Sequence, residues 1–301
     1  MSTKRRALTG VLLLDKPAGL SSTSALGRAK WIFQAEKAGH TGTLDPFATG
    51  LLPICFGEAA KFARFMLDAD KGYRATLRLG ETTPTGDTES QPDERREVNV
   101  DVEKVRSVLT TFLGAQTQIP PMHSALKQDG VPLYKLARRG IEVPREARAI
   151  AVDSLEFISL IDNSLVIDTR VSKGTYIRVL AEDIGEALGC GAHLTALRRT
   201  STGGFPLADA LTLEQLEGLS PDDRDATLRA PDALCPALPA IALDAASSKA
   251  FGHGQVIGGR IEAAGEFRIY ADDGCFLGIG VIAAAGHDQA MLTAVRLMSG
   301  G

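Results

Sequence analysis

Residues 39–53, which read GHTGTLDPFATGLLP, are the part of the chain best suited to chemistry. They place His40 and Asp45 five residues apart, among glycines that can adopt backbone angles closed to other residues. A carboxylate held in such a segment can act as a nucleophile or as a base. Taken alone, however, Gly, His and Asp in a loop are more often turn formers than catalysts. The role of Asp45 therefore depends on what the rest of the chain places beside it.

Regular elements are predicted on both sides of this segment. Before it, the apolar run 10–14 predicts a buried strand, and Ser21 with Ser22 offers an N-cap for a helix that runs to about Gln34. Residues 39–53 themselves are predicted to form a long ordered turn rather than a regular element. A loop that follows a helix in this way is a good place for functional residues.

After the loop, hydrophobic spacing predicts further helices and strands. Tyr73, Ala75, Leu77 and Leu79 alternate with polar residues, so Tyr73 is expected on the inward face of a strand. Helices are predicted over 58–67, 102–112 and 177–188, the last ending at Gly189, and strands over 151–160 and 165–171.

Three stretches indicate how the chain is divided. Residues 123–148 are basic and interrupted by glycine and proline, which indicates an excursion from the fold. The Pro-rich stretch 221–239 is the best linker candidate and predicts a boundary near residue 240. Beyond it, short apolar runs separated by glycines are typical of a small β-barrel or sandwich.

Composition narrows the class of protein. A chain of 301 residues that is 44% hydrophobic can bury a sizeable core. It contains no apolar run near the roughly 18 residues that a membrane helix requires, so we expect a cytoplasmic protein. The four cysteines lie far apart and form no Cys-x-x-Cys pair, which predicts neither a zinc site nor a disulfide framework.

Charge distribution leaves nucleic-acid binding open. The formal net charge of −4 argues weakly against it, because phosphate binding relies on Lys and Arg. Basic residues nevertheless dominate the first eighty positions and the stretch 127–148, whereas acids are concentrated over 81–103 and 209–232. A basic face can therefore coexist with an acidic total, although charge alone favours ordinary solvated surface residues.

Four segments, in chain order, resemble the motifs of one enzyme family. VLLLDKP (11–17) is similar to its N-terminal Lys-Pro motif, residues 39–53 to its catalytic aspartate loop, KGY (71–73) to its tyrosine motif, and SKGTYIR (172–178) to its arginine motif. Residues 141–148 and 189–199 are similar as well, so the match covers nearly all of 10–205. The chain thus resembles the tRNA pseudouridine synthases of the bacterial uridine-55 type, the TruB family.

The resemblance implies a fold and a division into domains. The fold class is α+β, with a mixed, largely antiparallel central sheet and flanking helices, followed by a small C-terminal β-barrel similar to a PUA domain. The implied domains are a catalytic domain over 1–240, with a thumb-like RNA-binding insertion at 123–148, and a PUA-like RNA-binding domain over 241–301. The PUA-like part is supported only by the FGHGQV segment (251–256) and by the glycine-punctuated strands.

The resemblance also implies roles for named residues. Asp45 is the implied catalytic residue, and Arg178 is its candidate partner. Arg178 lies in the first turn of a predicted helix, where the helix dipole slightly disfavours a cation, so a carboxylate beside it would offset this effect. The implied substrate-binding residues are His40, Tyr73, Tyr176, Arg178, Leu197, Lys16 and Asp87. Tyr73 would stack on the uracil, Tyr176 and Leu197 would line its pocket, Lys16 and Asp87 would support the site, and His40 would fill the position of the extruded base. For Asp87, in the sequence PTGD, a simple turn is an equally good interpretation.

The implied reaction converts uridine-55 in the T-loop of tRNA to pseudouridine. The C1′–N1 bond breaks, the uracil turns, and C5 joins C1′, which requires no metal, redox cofactor or energy donor. No cofactor is therefore expected, and Asp45 would either attack C1′ or remove the 2′ proton. The expected partner is tRNA, bound at its T-stem-loop and, through the C-terminal domain, at its acceptor end; a monomer suffices.

Three other interpretations are considered. A catalytically silent RNA-binding or tRNA-folding module is disfavoured because Asp45, Tyr73 and Arg178 occur together. A hydrolase that uses Asp45 and His40 on a nucleoside is disfavoured because the motifs contain no second acid placed to activate water. A sibling class guided by small RNAs shares the aspartate loop, but the thumb-like stretch favours the bacterial stand-alone type.

Overall fold

The computed structural model describes residues 5–259, 264–283 and 290–298. The strands are β1 (Gly10–Lys16), β2 (Ala38–His40), β3 (Thr49–Phe56), β4 (Lys71–Leu79), β5 (Glu81–Thr82), β6 (Glu94–Arg95), β7 (Gly114–Gln118), β8 (Lys127–Gln128), β9 (Val131–Pro132), β10 (Arg148–Ile161), β11 (Ser164–Val171), β12 (Ala192–Thr202), β13 (Phe205–Pro206), β14 (Ala240–Leu243), β15 (Ile257–Gly259), β16 (Gly265–Ala271), β17 (Phe276–Ala283) and β18 (Ala290–Leu297).

Helices connect many of these strands. The α-helices are α1 (Ser22–Ile32), α2 (Arg64–Leu67), α3 (Val102–Thr111), α4 (Leu133–Ala137), α5 (Ile177–Leu188), α6 (Leu213–Gly218), α7 (Pro221–Ala226) and α8 (Ala245–Gly252). Short 3₁₀ helices span Gly57–Phe62, Leu207–Asp209 and Pro231–Leu234. The prediction of one helix over 58–67 was wrong in detail, because this stretch divides into a 3₁₀ helix and the short α2.

A nine-stranded mixed sheet is the frame of the molecule. Seven strands follow the order β1-β3-β12-β4-β11-β10-β7, while β2 pairs with β3 and β13 with β12. Neighbours are antiparallel except for β3 and β12, which run parallel over a short register. The observed architecture is the mixed, largely antiparallel sheet with flanking helices that the sequence predicts.

Buried apolar clusters attach the helices to this sheet. The inward residues of β4, with Leu77 fully buried, pack with β11 and β12 against α3 and α5. At the other end of the sheet, Leu12 and Leu14 of β1 pack with Ile54 of β3 against α1 and α6. The inward residues of β4, which recur with a period of two, thus pack in one core with those of α5, which recur with a period of 3.6.

Two predictions about the sheet were wrong. The predicted turn over 39–53 is too long, because Thr49–Phe56 forms β3, a strand that is buried from Gly50 onward, and the loop itself spans only 41–48. Gly50 and Pro53 made this strand resemble a turn in the sequence, since both residue types are typical of turns. The central strand β12 was missed altogether, because its sequence, AHLTALRRTST, carries few apolar residues.

The predicted linker over 221–239 is also an ordered part of the fold. It contains α7 and a 3₁₀ helix, and Arg229 extends the edge of the large sheet by exchanging two backbone hydrogen bonds with Val11, at 2.8 and 2.9 Å. Proline and acidic residues in this stretch lie at helix N-termini and do not indicate a flexible linker. Ser220 caps α7, and Pro221 occupies its first turn.

The C-terminal part forms a second, five-stranded sheet in the order β14-β16-β17-β18-β15. It curls around Phe251 of α8, which is fully buried among Ile269, Ile282 and Leu292. This agrees with the predicted small β-rich, PUA-like unit. Phe276 and Ile279 also pack with Phe62 beside the large sheet, with the Phe62 and Phe276 ring centroids 5.2 Å apart. The division into domains 1–240 and 241–301 stays a prediction.

The close approach of β3 and β12 requires a glycine at position 50. Gly50 has φ +102°, and a Cβ there would lie 2.3 Å from the carbonyl oxygen of Arg199 and 2.7 Å from its nitrogen. We expect Gly50→Ala to lower the free energy of unfolding by about 3 kcal/mol, measured by urea denaturation. Gly39→Ala, on the paired strand β2 with open space around it, is the control and should change stability little. Equal effects of the two substitutions would contradict the steric requirement at position 50.

Candidate active site

The loop 41–48 is held at several points. The hydroxyl of Ser22, in the first turn of α1, accepts a hydrogen bond from the backbone N–H of Leu44 (2.7 Å) and donates one to its carbonyl (3.0 Å). The N–H of Gly19 donates to the carbonyl of Pro46 (2.8 Å), and that of Ala48 to the carbonyl of Asp45 (3.1 Å). The backbone that carries Asp45 is therefore fixed from both sides.

Asp45 and Arg178 form an ion pair at the centre of the site. Arg178 Nε lies 3.2 Å from Asp45 Oδ2; the arginine side chain is 7% exposed and the aspartate side chain 35%. Arg178 also donates through Nη1 to the carbonyl of Thr85 (3.1 Å) and through Nη2 to the carbonyl of His123 (2.7 Å). The guanidinium is thus oriented by backbone acceptors, while one edge of Asp45 remains open to solvent.

Asp87 is the second carboxylate on this guanidinium. Its Oδ2 lies 3.4 Å from Arg178 Nη1, and its side chain is 1% exposed. Its Oδ1 accepts hydrogen bonds from the hydroxyl of Thr85 (2.7 Å) and the backbone N–H of Glu89 (2.9 Å). These turn contacts and the ion pair are both present, so the interpretation of Asp87 as a mere turn former was incomplete.

Burial and charge act on Asp45 in opposite directions. Burial raises the pKa of its carboxyl and Asp87 raises it further, whereas Arg178 and Lys16 lower it; the net shift is upward. Two more acids lie nearby that the motifs did not single out. Burial raises the pKa of Glu182 to about 7, and burial together with Asp87 and Asp45 raises the pKa of Glu89.

Apolar and aromatic residues pack against the loop that carries Asp45. Tyr73, on β4, and Leu197, on the adjacent β12, are both buried in one cluster with Leu44 and Ala48 of the catalytic loop. A flat ring and a branched aliphatic side chain beside a carboxylate are suited to holding a planar heterocycle. The inward face predicted for Tyr73 is confirmed.

Tyr176 lies at the N-terminus of α5, two residues before Arg178. Gln118, at the end of β7, fixes its backbone: the side chain accepts from the N–H of Tyr176 (2.8 Å) and donates to its carbonyl (3.1 Å). Burial raises the pKa of the Tyr176 phenol, and the charges of Arg178 and Asp45 also act on it. Gln118 was missed because a glutamine at a strand end carries no distinctive pattern.

Lys16 is fully buried behind the loop. Its ammonium donates to the carbonyls of Pro17 (2.9 Å), Leu20 (2.6 Å) and Pro46 (3.4 Å). Burial lowers its pKa to about 8, against the opposing charge of Asp45. The lysine therefore fastens the loop 41–48 to the chain that leads into α1. Its role in supporting substrate binding stays a prediction.

His40 ends β2 and is half-buried. Its Nδ1 is buried and has no hydrogen-bond partner among the residues that the structure describes. Burial lowers the pKa of the imidazole, and the nearby charge of Arg199 lowers it further. His40 thus lies at the start of the loop that carries Asp45, but the structure gives it no contact with Asp45.

The basic stretch 123–148 is an insertion between β7 and β10, which are adjacent in the sheet. It contains β8, β9 and α4, and it reaches the site through the carbonyl of His123 on Arg178. Arg138, Arg139 and Arg148 are exposed, whereas Arg145 donates to the carbonyl of Pro120 (3.0 Å) and pairs with Glu142. The sequence predicted this excursion but not its contact with Arg178.

Neither a metal cluster nor a membrane-spanning helix occurs in the part of the chain that the structure describes. There, no group of three or more His, Cys, Asp or Glu side chains could hold a metal ion. Among the same residues, no helix is long and apolar enough to cross a membrane.

Family models match almost the whole chain. Residues 30–177 match the model described as TruB family pseudouridylate synthase (N terminal domain), 178–237 the tRNA pseudouridylate synthase B C-terminal domain, and 239–297 the model described as Pseudouridine synthase II TruB, C-terminal.

Individual proteins and structures are similar over the same length. A curated protein of Burkholderia mallei, named tRNA pseudouridine synthase B, is 52% identical over 91% of this chain and 93% of its own length. One of the same name from Thiobacillus denitrificans is 48% identical over 93% of this chain and 94% of its own. In a crystal structure of a Cbf5-Nop10-Gar1 complex, a chain of 25% identity superposes with a TM-score of 0.74, over 95% of this chain and 84% of that one. These similarities confirm the predicted fold and the resemblance on which it rested.

The raised pKa of Asp45 has a consequence for stability. Between the carboxyl pKa of the unfolded chain and the higher value of the folded state, the folded protein binds more protons, so stability falls as pH rises. We expect Asp45→Asn to increase the free energy of unfolding at pH 7, with the gain shrinking as pH falls through that window and disappearing below the ordinary carboxyl pKa. Urea denaturation at several pH values measures this.

The control for this prediction is Asp168→Asn. Asp168 forms two hydrogen bonds with Arg74 at the surface, at 2.7 and 2.6 Å, so its removal should be neutral or mildly destabilising at pH 7. A loss of stability in Asp45→Asn at pH 7 would show that the carboxylate stabilises the fold, contrary to the upward shift of its pKa.

Proposed function

Because the chain belongs to the TruB family of pseudouridylate synthases, we propose that it converts a uridine of tRNA to pseudouridine, and that this uridine is number 55 of the T-loop. The observation that carries the proposal is the ion pair between Asp45 and Arg178, at 3.2 Å. The loop that carries Asp45 packs through Leu44 and Ala48 in one buried cluster with Tyr73 and Leu197. Together these features combine one partly exposed carboxylate with surfaces that suit a pyrimidine. The relatives named above as tRNA pseudouridine synthase B support the choice of tRNA.

Asp45 supplies the chemistry in this proposal. The reaction breaks the C1′–N1 bond of the uridine and forms a C5–C1′ bond, while the proton on C5 is lost and N1 gains one, so atoms and electrons balance without a cofactor. Asp45 acts as a nucleophile at C1′ or as a base toward the 2′ proton, and both roles require the ionised carboxylate. Burial disfavours the ionised carboxylate, and the charge of Arg178 acts in the opposite direction by favouring it.

The other site residues hold the substrate. Tyr73 stacks on the uracil, and Tyr176 with Leu197 encloses it. A stacked uridine must first leave its RNA loop, at a cost of a few kcal/mol. His40, at the rim of the catalytic loop, fills the vacated position, because an imidazole is flat enough to stack on bases. Lys16 and Asp87 act indirectly by holding the loop and Arg178.

The insertion 123–148 binds the RNA in this proposal. Its exposed arginines are not drawn into ion pairs in the way that Arg145 is, so they are available to phosphates. The T-stem-loop lies against the large sheet domain, 1–240, and the PUA-like domain, 241–301, contacts the acceptor end. The protein acts as a monomer in the cytoplasm, where tRNA is present.

Asp45→Asn tests the proposed reaction. We expect no detectable pseudouridine in an unmodified tRNA, while the Kd for that tRNA stays within about tenfold, because phosphate contacts supply most of the affinity. Carbodiimide mapping detects the product, as does mass spectrometry after carbodiimide treatment, since pseudouridine itself has the mass of uridine. Asp168→Asn serves as the active control. Substantial turnover by Asp45→Asn would refute the role of this residue.

The same assay distinguishes a hydrolase. The structure places Glu89 near Asp45, a second acid that the motifs did not indicate. A hydrolase would release free uracil and leave an abasic site, whereas the proposed isomerase conserves the mass of the RNA. Detection of stoichiometric uracil would therefore replace the proposed function with hydrolysis.

The exposed arginines of the insertion give a salt-dependence test. Replacing Arg138, Arg139 and Arg148 together by Gln should weaken binding to tRNA and reduce the slope of log K against log salt by roughly two to three, since each lost phosphate contact removes about 0.9. The matched control replaces three arginines that are ion-paired elsewhere, Arg28, Arg96 and Arg229. If both triple variants change the slope equally, the insertion is not the phosphate-binding surface.

A further inference from the structure

Arg199 is a buried arginine that the mechanism above does not use. It lies on β12 with only 1% of its surface exposed, and none of the ion pairs among the described residues includes it. Its Nε donates to the carbonyl of Leu51 (2.6 Å), and its Nη2 donates to the carbonyl of Gly42 (3.3 Å). These two carbonyls stand on either side of Asp45, near the two ends of the catalytic loop. The side chain therefore spans the base of this loop.

The backbone of Arg199 lies at an equally central position. It is in register with Gly50 of β3 on one side and with Tyr73 of β4 on the other. One residue thus connects the end of the Asp45 loop to the strand that carries the uracil-stacking tyrosine. A displacement of Arg199 would change the distance between Asp45 and Tyr73.

A buried guanidinium without a carboxylate is costly, so a purely mechanical role does not explain its charge. A methionine would fill similar volume without the desolvation penalty of a charged group. Burial lowers the pKa of His40, two residues before Gly42, and the charge of Arg199 lowers it further. An imidazolium donates through both ring nitrogens, and the buried Nδ1 of His40 has no acceptor among the described residues.

We propose that Arg199 is a positioning residue for this site: its guanidinium fixes both ends of the loop that carries Asp45 and places a cation near His40, whose buried Nδ1 has no acceptor among the described residues and therefore favours the neutral imidazole. A neutral ring enters a stack of bases without bringing a hydrated cation with it. The inference rests on the proposed function only for the use of the loop and of His40 on RNA. The clamp, meaning the two hydrogen bonds from Arg199 to the carbonyls of Leu51 and Gly42, does not depend on the proposed function, and neither does the protonation state of His40.

Most other charges near His40 are already engaged. The elements packed against β2 are β3, which carries no charged residue, α1 and the 3₁₀ helix Gly57–Phe62. Their charged residues are Arg28, which pairs with Glu217, Lys30, and Glu58 with Lys61, which pair with each other. Arg199 is the charge that acts on the imidazole.

Three variants test the proposal in the full-length protein. Arg199→Met removes both the clamp and the charge, and Arg199→Lys keeps the charge but replaces the two separate donors, Nε and Nη2, with one ammonium nitrogen at a different reach. Arg198→Met is the matched control, because this neighbour on β12 instead pairs with Asp15 (2.6 Å) and is partly exposed. The readouts are the NMR titration of the His40 ring in the free protein, the single-turnover rate on a T-stem-loop hairpin, and the Kd for that hairpin.

The expected results separate the two halves of the proposal. Both Arg199 variants should lose about tenfold to a hundredfold in the single-turnover rate, with the Kd nearly unchanged, because a small displacement of a reacting group has effects of that size. The pKa of His40 should rise toward its ordinary value of 6.5 in Arg199→Met and stay low in Arg199→Lys. Arg198→Met should change neither.

Two results would overturn the proposal. A wild-type His40 that titrates at or above its ordinary pKa of 6.5 shows that the site does not favour the neutral imidazole, even if no Arg199 variant folds. A rate for Arg199→Lys equal to that of Arg198→Met rules out the clamp. If the wild-type protein makes no pseudouridine at all, the proposed function fails, whereas the His40 titrations still decide the action of the Arg199 charge.

Discussion

The site depends on one guanidinium, that of Arg178, and on the acceptors that surround it. Two carboxylates and two backbone carbonyls, from four residues of the chain, converge on this group: Asp45, Asp87, and the carbonyls of Thr85 and His123. A buried cation requires such a set of partners, because an unpaired charge in the interior costs several kcal/mol. The catalytic loop, the turn after β5 and the insertion between β7 and β10 are therefore all attached to the first turn of α5. Losing Asp45 or Asp87 would leave this guanidinium with one carboxylate, and losing either carbonyl would remove one of its hydrogen bonds.

The residues of the site were predictable to the extent that they lie in short motifs. Asp45, Tyr73, Tyr176 and Arg178 occur in three of the four segments whose order indicated the family. The structure pairs Asp45 with Arg178 and packs Tyr73 in the buried cluster that includes Leu44, next to Asp45. The period of two along β4 correctly placed Tyr73 inside. Local patterns work here because each motif combines a turn or a cap with one functional residue.

What the sequence did not predict lies in long-range pairing. β12 is polar in sequence, yet it occupies the middle of the large sheet, because Arg198 and Arg199 obtain their partners from β1 and β3 rather than from residues near them in the chain. β3 was predicted as part of a turn because it contains Gly50 and Pro53. Their place in a strand depends on the neighbouring strands, which are distant in sequence. Gln118 and Glu182 carry no pattern at all, since their positions beside Tyr176 and Gly86 follow from tertiary structure.

The position of β12 between β3 and β4 has a consequence for how the protein is made. The ribosome completes β4 at residue 79, but the strand that joins it to β3 ends only at residue 202. During synthesis of that interval, β3 and β4 each present an unpaired edge, which in other proteins is a site of mispairing and aggregation. Closure of the sheet over so long a separation is entropically slow. Consequently, Asp45 and Tyr73 come together with Arg178 and Leu197 only late in translation. A truncated chain that ends before β12 would lack both this site and the sheet that supports it.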